Sequence, residues 1–115
     1  MSWGEVELED EVRAWYLALD DDSKGRAQFH IDRLAEFGPL LDEPFTRQLV
    51  GSLRELRFVL NGRDTRVTYF IATGRRIVLL TVFTKTQRRE PREIARAKRA
   101  YERCINDRHL DEEPT

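Results

Sequence analysis

Residues 53–98, LRELRFVLNGRDTRVTYFIATGRRIVLLTVFTKTQRREPREIARAK, decide the fold of this chain. From Leu53 the pattern has a period of two. Leu56, Phe58 and Leu60 fall on one face and Arg57 and Val59 on the other, the alternation of a half-buried strand. Asn61-Gly62-Arg63-Asp64 supplies turn residues, Arg66–Ala72 a second strand, Thr73-Gly74 a second turn and Arg76–Thr84 a third strand. Strands joined this tightly form an antiparallel meander. The third is apolar on both faces over Ile77–Val82, which predicts a central position covered from both sides. Pro91 then suits the first turn of a helix, with Glu90 and Glu93 at the positive end of its dipole. Ile94, Ala97, Tyr101 and Cys104 or Ile105 form the buried stripe of that helix; Arg92, Arg96, Arg99 and Arg103 form a basic one.

Toward the N-terminus, Leu8, Val12, Trp15 and Leu19 fall at i, i+4, i+7 and i+11 and predict a helix. Asp20-Asp21-Asp22-Ser23 ends it and caps a second, whose apolar stripe is Ala27, Ile31, Leu34 and Phe37 and which Gly38-Pro39 terminates. A link this short makes the two an antiparallel hairpin. Trp3–Val6 reads as a short edge strand, and Leu40–Ser52, without a clean period, as loop. The acidic, proline-containing end after Asp107 reads as disordered. The fold class is therefore α+β: an N-terminal helical hairpin packed on a small antiparallel β-sheet, followed by a C-terminal basic helix.

The chain's net charge of −1 conceals a dipole. Residues 51–104 carry 14 Lys and Arg against 5 Asp and Glu, whereas residues 1–50 carry 5 against 12. Such a field steers a polyanion onto one face. The single Cys104 can form no internal disulfide, and His30 and His109 have no zinc-site spacing, so chemistry built on a His or Cys metal site is not expected. The start, Met1 to Glu5, lacks the pattern of a signal peptide and no apolar run approaches a membrane span, which makes a cytoplasmic location the expectation.

Glu55-Leu56-Arg57, Arg66-Val67-x-Tyr69-Phe70, Phe83-Thr84-Lys85 and the helix start Pro91-x-Glu93-Ile94, in this order and spacing, resemble the RelE/ParE superfamily of bacterial toxins, and within it the HigB-type and phage-derived branch. The resemblance spans nearly the whole chain. It implies one RelE-like domain over residues 1–107, similar in build to microbial ribonucleases, with residues 108–115 as a tail. It also implies metal-independent cleavage of translated mRNA on the 70S ribosome, no cofactor, and neutralisation by an antitoxin, expected to be a helix-turn-helix protein. Arg57, Arg66 and Lys85 match positions where the family carries functional basic residues. The sequence departs from the RelE branch at Glu55, an acid where a basic residue is often found, and has no clear counterpart of that branch's C-terminal catalytic tyrosine.

Metal-free RNA cleavage needs a base for the 2′-hydroxyl proton, cations for the charged phosphorane and an acid for the departing 5′-oxygen. Arginine suits the clamp, its planar fork binding two phosphate oxygens, so Arg57 and Arg66 are the candidate clamps. Proton transfer falls to Lys85, Tyr69, or a nucleotide or ribosomal group. Arg76 and the stripe Arg92, Arg96, Arg99 and Arg103 are candidate RNA contacts. Each has a plainer alternative: Arg57 and Arg66 as solvated strand residues or partners of Glu55 or Asp64, Lys85 as an edge marker, the stripe as the wet side of a helix. Two other functions fit the same fold, a ParE-like inhibitor of DNA gyrase and a non-toxic ribosome- or RNA-binding regulator. Convergence of Arg57, Arg66 and Lys85 on one concave site favours the nuclease; dispersal favours the binders.

Overall fold

The structure, a computed structural model, describes residues 2–108 apart from the side chain of Arg108. The elements run β1 (Glu5–Leu8), α1 (Asp10–Leu17), α2 (Asp21–Phe37), β2 (Thr46–Val50), β3 (Leu53–Leu60), β4 (Arg63–Ala72), β5 (Arg76–Thr84) and α3 (Pro91–Arg108), with a 3-10 turn at Gly38–Leu40. The strands form one sheet in the order β1-β5-β4-β3-β2. The meander β3-β4-β5 is as the sequence predicts. Asn61 and Gly62 both take positive φ, the geometry of a tight hairpin turn, so β4 begins at Arg63.

Two expectations are corrected by the sheet's edges. It is mixed rather than antiparallel, because β1 pairs parallel to β5, Glu5 opposite Arg76 through Leu8 opposite Leu79. Leu8 therefore ends a strand and is not the first member of a helical stripe. Gly4 sets where the chain enters this strand: a Cβ there would lie 2.3 Å from the Arg75 carbonyl oxygen. The second correction is β2, which lies in the segment read as loop. Its TRQLV sequence is exposed at Arg47, Gln48 and Val50, so no apolar alternation betrays it; pairing with β3 and the buried Thr46, whose hydroxyl donates to the Leu41 carbonyl at 2.7 Å, hold it in place.

Helices α1 and α2 cover one face of the sheet, α1 over β5 and α2 over β3. There Val12, Ala27, Ile31 and Leu34 meet Leu56, Phe58, Leu60, Val67, Tyr69, Ile77 and Leu79. Asp20 caps α2, its carboxylate accepting from the Ser23 N–H at 2.8 Å. Phe37, placed in the apolar stripe by its spacing, is 44% exposed instead. The opposite face carries α3. Ala97, Ala100 and Cys104 pack on Leu53, Phe70, Ala72, Val78 and Leu80, and the Tyr101 ring meets Phe70 edge-on at 4.8 Å. The double coverage of β5 accounts for its apolar run, broken only by Thr81. Among the described residues no helix is long and apolar enough to cross a membrane. α3 takes in Arg108, the first residue of the expected tail; the rest of that tail lies outside the described residues.

A bulge in β5 sets the face on which the last residues of the strand lie. Thr68 pairs with Thr81 but Tyr69 pairs with Leu79, so Leu80 is an extra residue. Thr68 Oγ1 accepts from the Thr81 N–H at 3.2 Å and lies 2.5 Å from Thr81 Oγ1, bonding the groups the bulge takes out of register. Strict alternation would place Phe83 and Lys85 on the face of Ile77 and Leu79. The bulge turns both to the α3 face.

Candidate functional site

Helix α3 covers only one half of its face. On the other half, two rows of side chains cross the strands. One row is Arg57, Arg66 and Phe83; the next is Arg47, Glu55, Thr68 and Thr81, in both cases as directly paired partners. Two arginines placed opposite each other repel. What offsets this is Glu55, diagonal to Arg66, whose carboxylate lies 3.5 Å from Arg66 Nε, an ion-pair separation without hydrogen-bond alignment. Arg66 is 6% exposed and Glu55 8%. Burial pushes the Glu55 carboxyl above its ordinary range, outweighing the pull of Arg66, Arg57, Arg47 and Lys85. Burial, then the Arg57 charge, lowers Arg66 against the support of Glu55 and Asp64.

Over this floor lies a cavity of about 440 Å³, walled by β2, β3, the end of β5 and the start of α3. Arg47, Arg57, Lys85, Arg88 and Arg89 face it around Glu55, with Phe83 and Ile94 as apolar lining. The Nε of Arg57 is buried without a hydrogen-bond partner among the described residues. A donor left so is costly to hold. The loop joining β5 to α3 is tightly tied. Lys85 Nζ donates to the carbonyls of Gln87 (2.6 Å) and Arg88 (2.8 Å), and Glu90 accepts from the N–H groups of Thr86 and Gln87, both at 2.9 Å. The N–H bonds from Gln87 and Thr86 hold the Glu90 carboxyl below its ordinary range. Lys85 thus shapes the loop that presents Arg88 and Arg89.

The structure brings Arg57 and Lys85 together at the cavity and sets Arg66 beneath it, behind Glu55. Tyr69 is on the other face, 1% exposed, its hydroxyl accepting from Arg54 Nε at 3.3 Å. Burial raises the Tyr69 pKa in spite of Arg54, and the sheet separates it from the cavity. His30 is on that face too, stacked on Phe58 at 4.7 Å. Arg76 lies at the opposite end of β5, held by both oxygens of Glu7. Of the helical stripe, Arg92, Arg99 and Arg103 are exposed, but Arg96 is engaged within the fold. It pairs with Glu11 of α1 and with Glu93, and donates to the Val82 carbonyl at 3.1 Å. Glu11 also accepts from the Val82 N–H at 2.9 Å, so this pair seals the edge of β5 where β1 stops.

Arg47, Arg88 and Arg89 were not singled out by sequence reasoning. Arg47 was hidden by the loop reading of its segment, and the other two lie between elements; the Arg88-Arg89 doublet was the available signal. Among the described residues no group of three or more His, Cys, Asp or Glu is placed to hold a metal. A second cleft, of about 470 Å³, lies on the far side of α3. Glu9, Asp10, Glu11 and Asp107 line it beside Arg96 and Arg103, a wall that repels an anion as much as it attracts one.

Comparison with known proteins agrees with this build. No curated protein matches the chain in sequence. A double arginine-to-alanine mutant of the E. coli toxin RelE, solved in the free state, superposes with a TM-score of 0.53 at 12% identity, covering 93% of this chain and 98% of that one. At that identity the likeness speaks for the fold alone. Residues 14–102 match the family described as phage derived protein Gp49-like (DUF891). The chain, RelE-like in fold, belongs to the phage-derived Gp49-like family.

Proposed function

We propose that this protein is the toxin of a type II toxin–antitoxin pair, an endoribonuclease (mRNA interferase) that cleaves translated mRNA on the ribosome without metal. The observation that carries this reading is the convergence of Arg47, Arg57, Lys85, Arg88 and Arg89 on one cavity. Five cations around one concavity suit a polyanion and, more specifically, a phosphorane whose charge rises during reaction. Arg57 clamps the scissile phosphate, Arg66 supports it from below through Glu55, and Lys85 positions the Arg88-Arg89 loop. The exposed arginines of α3 add sequence-independent contact with ribosomal RNA. A cytoplasmic location and an antitoxin that masks the cavity or α3 follow from this role.

Induced expression in a bacterial host tests it. Primer extension should reveal new 5′ ends confined to translated regions, while DNA, which lacks the 2′-hydroxyl nucleophile, stays intact. Growth arrest with intact transcripts would reject the nuclease and favour the gyrase inhibitor.

A further inference from the structure

The geometry points to Glu55 as the general base that takes the 2′-hydroxyl proton in the RNA cleavage proposed above, on which this assignment rests. Three observations carry it. Glu55 is the one carboxylate of the sheet floor that lines the cavity, and it sits between Arg47 of β2 and the pair Arg57 and Arg66 of β3 and β4. Its nearest cation, Arg66 Nε at 3.5 Å, makes no aligned hydrogen bond, so the carboxylate is oriented without being locked to a donor. Lys85, the other candidate base, has its ammonium turned to two backbone carbonyls of its own loop.

The step balances within the RNA. Glu55 accepts the 2′-hydroxyl proton, the 2′-oxygen bonds to phosphorus, and the bond from phosphorus to the 5′-oxygen breaks. The departing 5′-oxygen takes a proton from water, leaving a 2′,3′-cyclic phosphate and a 5′-hydroxyl, and Glu55 returns its proton to solvent. Burial makes the carboxylate a stronger base than an exposed one, the charges of Arg66 and Arg57 favour its ionised form, and Arg57, which lines the cavity, stabilises the phosphorane.

The groups facing Glu55 are Arg47, Arg57, Arg66 and Lys85; Asp64 lies near Arg66, and Glu90 is on the loop at the cavity rim. The test is single-turnover cleavage of ribosome-bound mRNA by the parent, Glu55→Gln and Glu55→Asp from pH 4.5, the ordinary value that Glu55 lies above, to pH 8.5, with ribosome binding measured alongside. The expected result is a loss of about 100-fold or more for Glu55→Gln, with ribosome binding within twofold of the parent. The parent rate should rise with pH along an acidic limb that Glu55→Gln lacks. Glu55→Asp, which keeps a carboxylate, should recover at least tenfold over Glu55→Gln and regain the limb, an outcome lost packing would not give. Glu90 titrates below Glu55, so Glu90→Gln should leave the limb in place. If Glu55→Gln cleaves within threefold of the parent, if it keeps the limb, or if the parent has none, Glu55 is not the base and the nuclease reading stands. If the parent itself cleaves no ribosome-bound RNA, that reading falls first.

Discussion

Replacing Arg96 by alanine should destabilise the fold, while the same change at Arg99, three residues along the basic stripe, should not. Arg96 holds α3 through Glu11, Glu93 and the Val82 carbonyl, and the side chains of Arg96, Glu11 and Glu93 are 35%, 39% and 30% exposed. Hydrogen bonds to charged groups contribute about 1.5–3 kcal/mol when desolvated and exposed pairs about 0.2–1. At this exposure the Glu11 pair and the carbonyl bond are each worth about 1 kcal/mol and the Glu93 pair a few tenths, which makes Arg96→Ala cost about 2 kcal/mol. For a domain of this size that lowers Tm by about 8 °C. Arg99→Ala should stay within about 0.5 kcal/mol of the parent. Urea melts should give a lower midpoint for Arg96→Ala at unchanged slope.

The pair also has a pH signature. Burial raises the Glu11 carboxyl, but the Arg96 hydrogen bond, the Val82 N–H and the charges of Arg96 and Arg103 outweigh it and leave the pKa below the ordinary 4.5. A folded pKa below the unfolded one means stability fully present above about pH 4.5 and lost as pH falls through the folded value, a loss Glu11→Gln should lack. Equal melting of Arg96→Ala and Arg99→Ala would refute the reasoning and return Arg96 to the solvent-facing stripe.

Further predictions concern the site and the core. Arg57→Ala should cost about 2–4 kcal/mol of transition-state stabilisation, the scale of a lost oxyanion donor, read as single-turnover cleavage at unchanged thermal stability; retained activity would remove Arg57 from the clamp. Changing Arg92 and Arg99 together to Glu should weaken ribosome co-sedimentation and flatten its salt dependence, because fewer counterions are released; unchanged binding would make them a plain solvated face. Phe70→Ala, which removes a fully buried ring beneath Tyr101, should cost about 3–5 kcal/mol in denaturant unfolding.

The meander and the three helices were legible because turn residues bound the strands and most apolar residues of β3 and of the helices keep a period. The α3 stripe and the Asp20 cap are local signals of the same kind, and both hold. What was hidden depends on pairing between distant segments. β1 joins β5 across some seventy residues, and its Leu8 also fits the helical spacing of the next element. β2 is an edge strand with exposed residues and no alternation to display. The Leu80 bulge alters one residue of register inside an apolar run, and only Thr68 and Thr81, polar in apolar strands, mark it. That slip decides which face Phe83 and Lys85 occupy. Arg96 looked equivalent to its stripe neighbours because its partner Glu11 is 85 residues away. Arg57 and Lys85 were found through their match to a known family pattern; the carboxylate between them was noted as a departure from it and as a plain partner of the strand arginines.

The measurement that bears most directly on the central claim is cleavage by the purified protein of an mRNA held on 70S ribosomes, in parallel with the same mRNA free in solution, followed by analysis of the product ends. To probe the metal question, EDTA is added in a reaction where the ribosomes have been cross-linked so that they survive loss of magnesium. The expected result is cuts in the ribosome-bound message, upstream fragments ending in 2′,3′-cyclic phosphate, downstream fragments beginning with 5′-hydroxyl, and loss of all of these in Arg57→Ala. Intact message at stoichiometric protein, or fragments carrying 5′-phosphate, would contradict it.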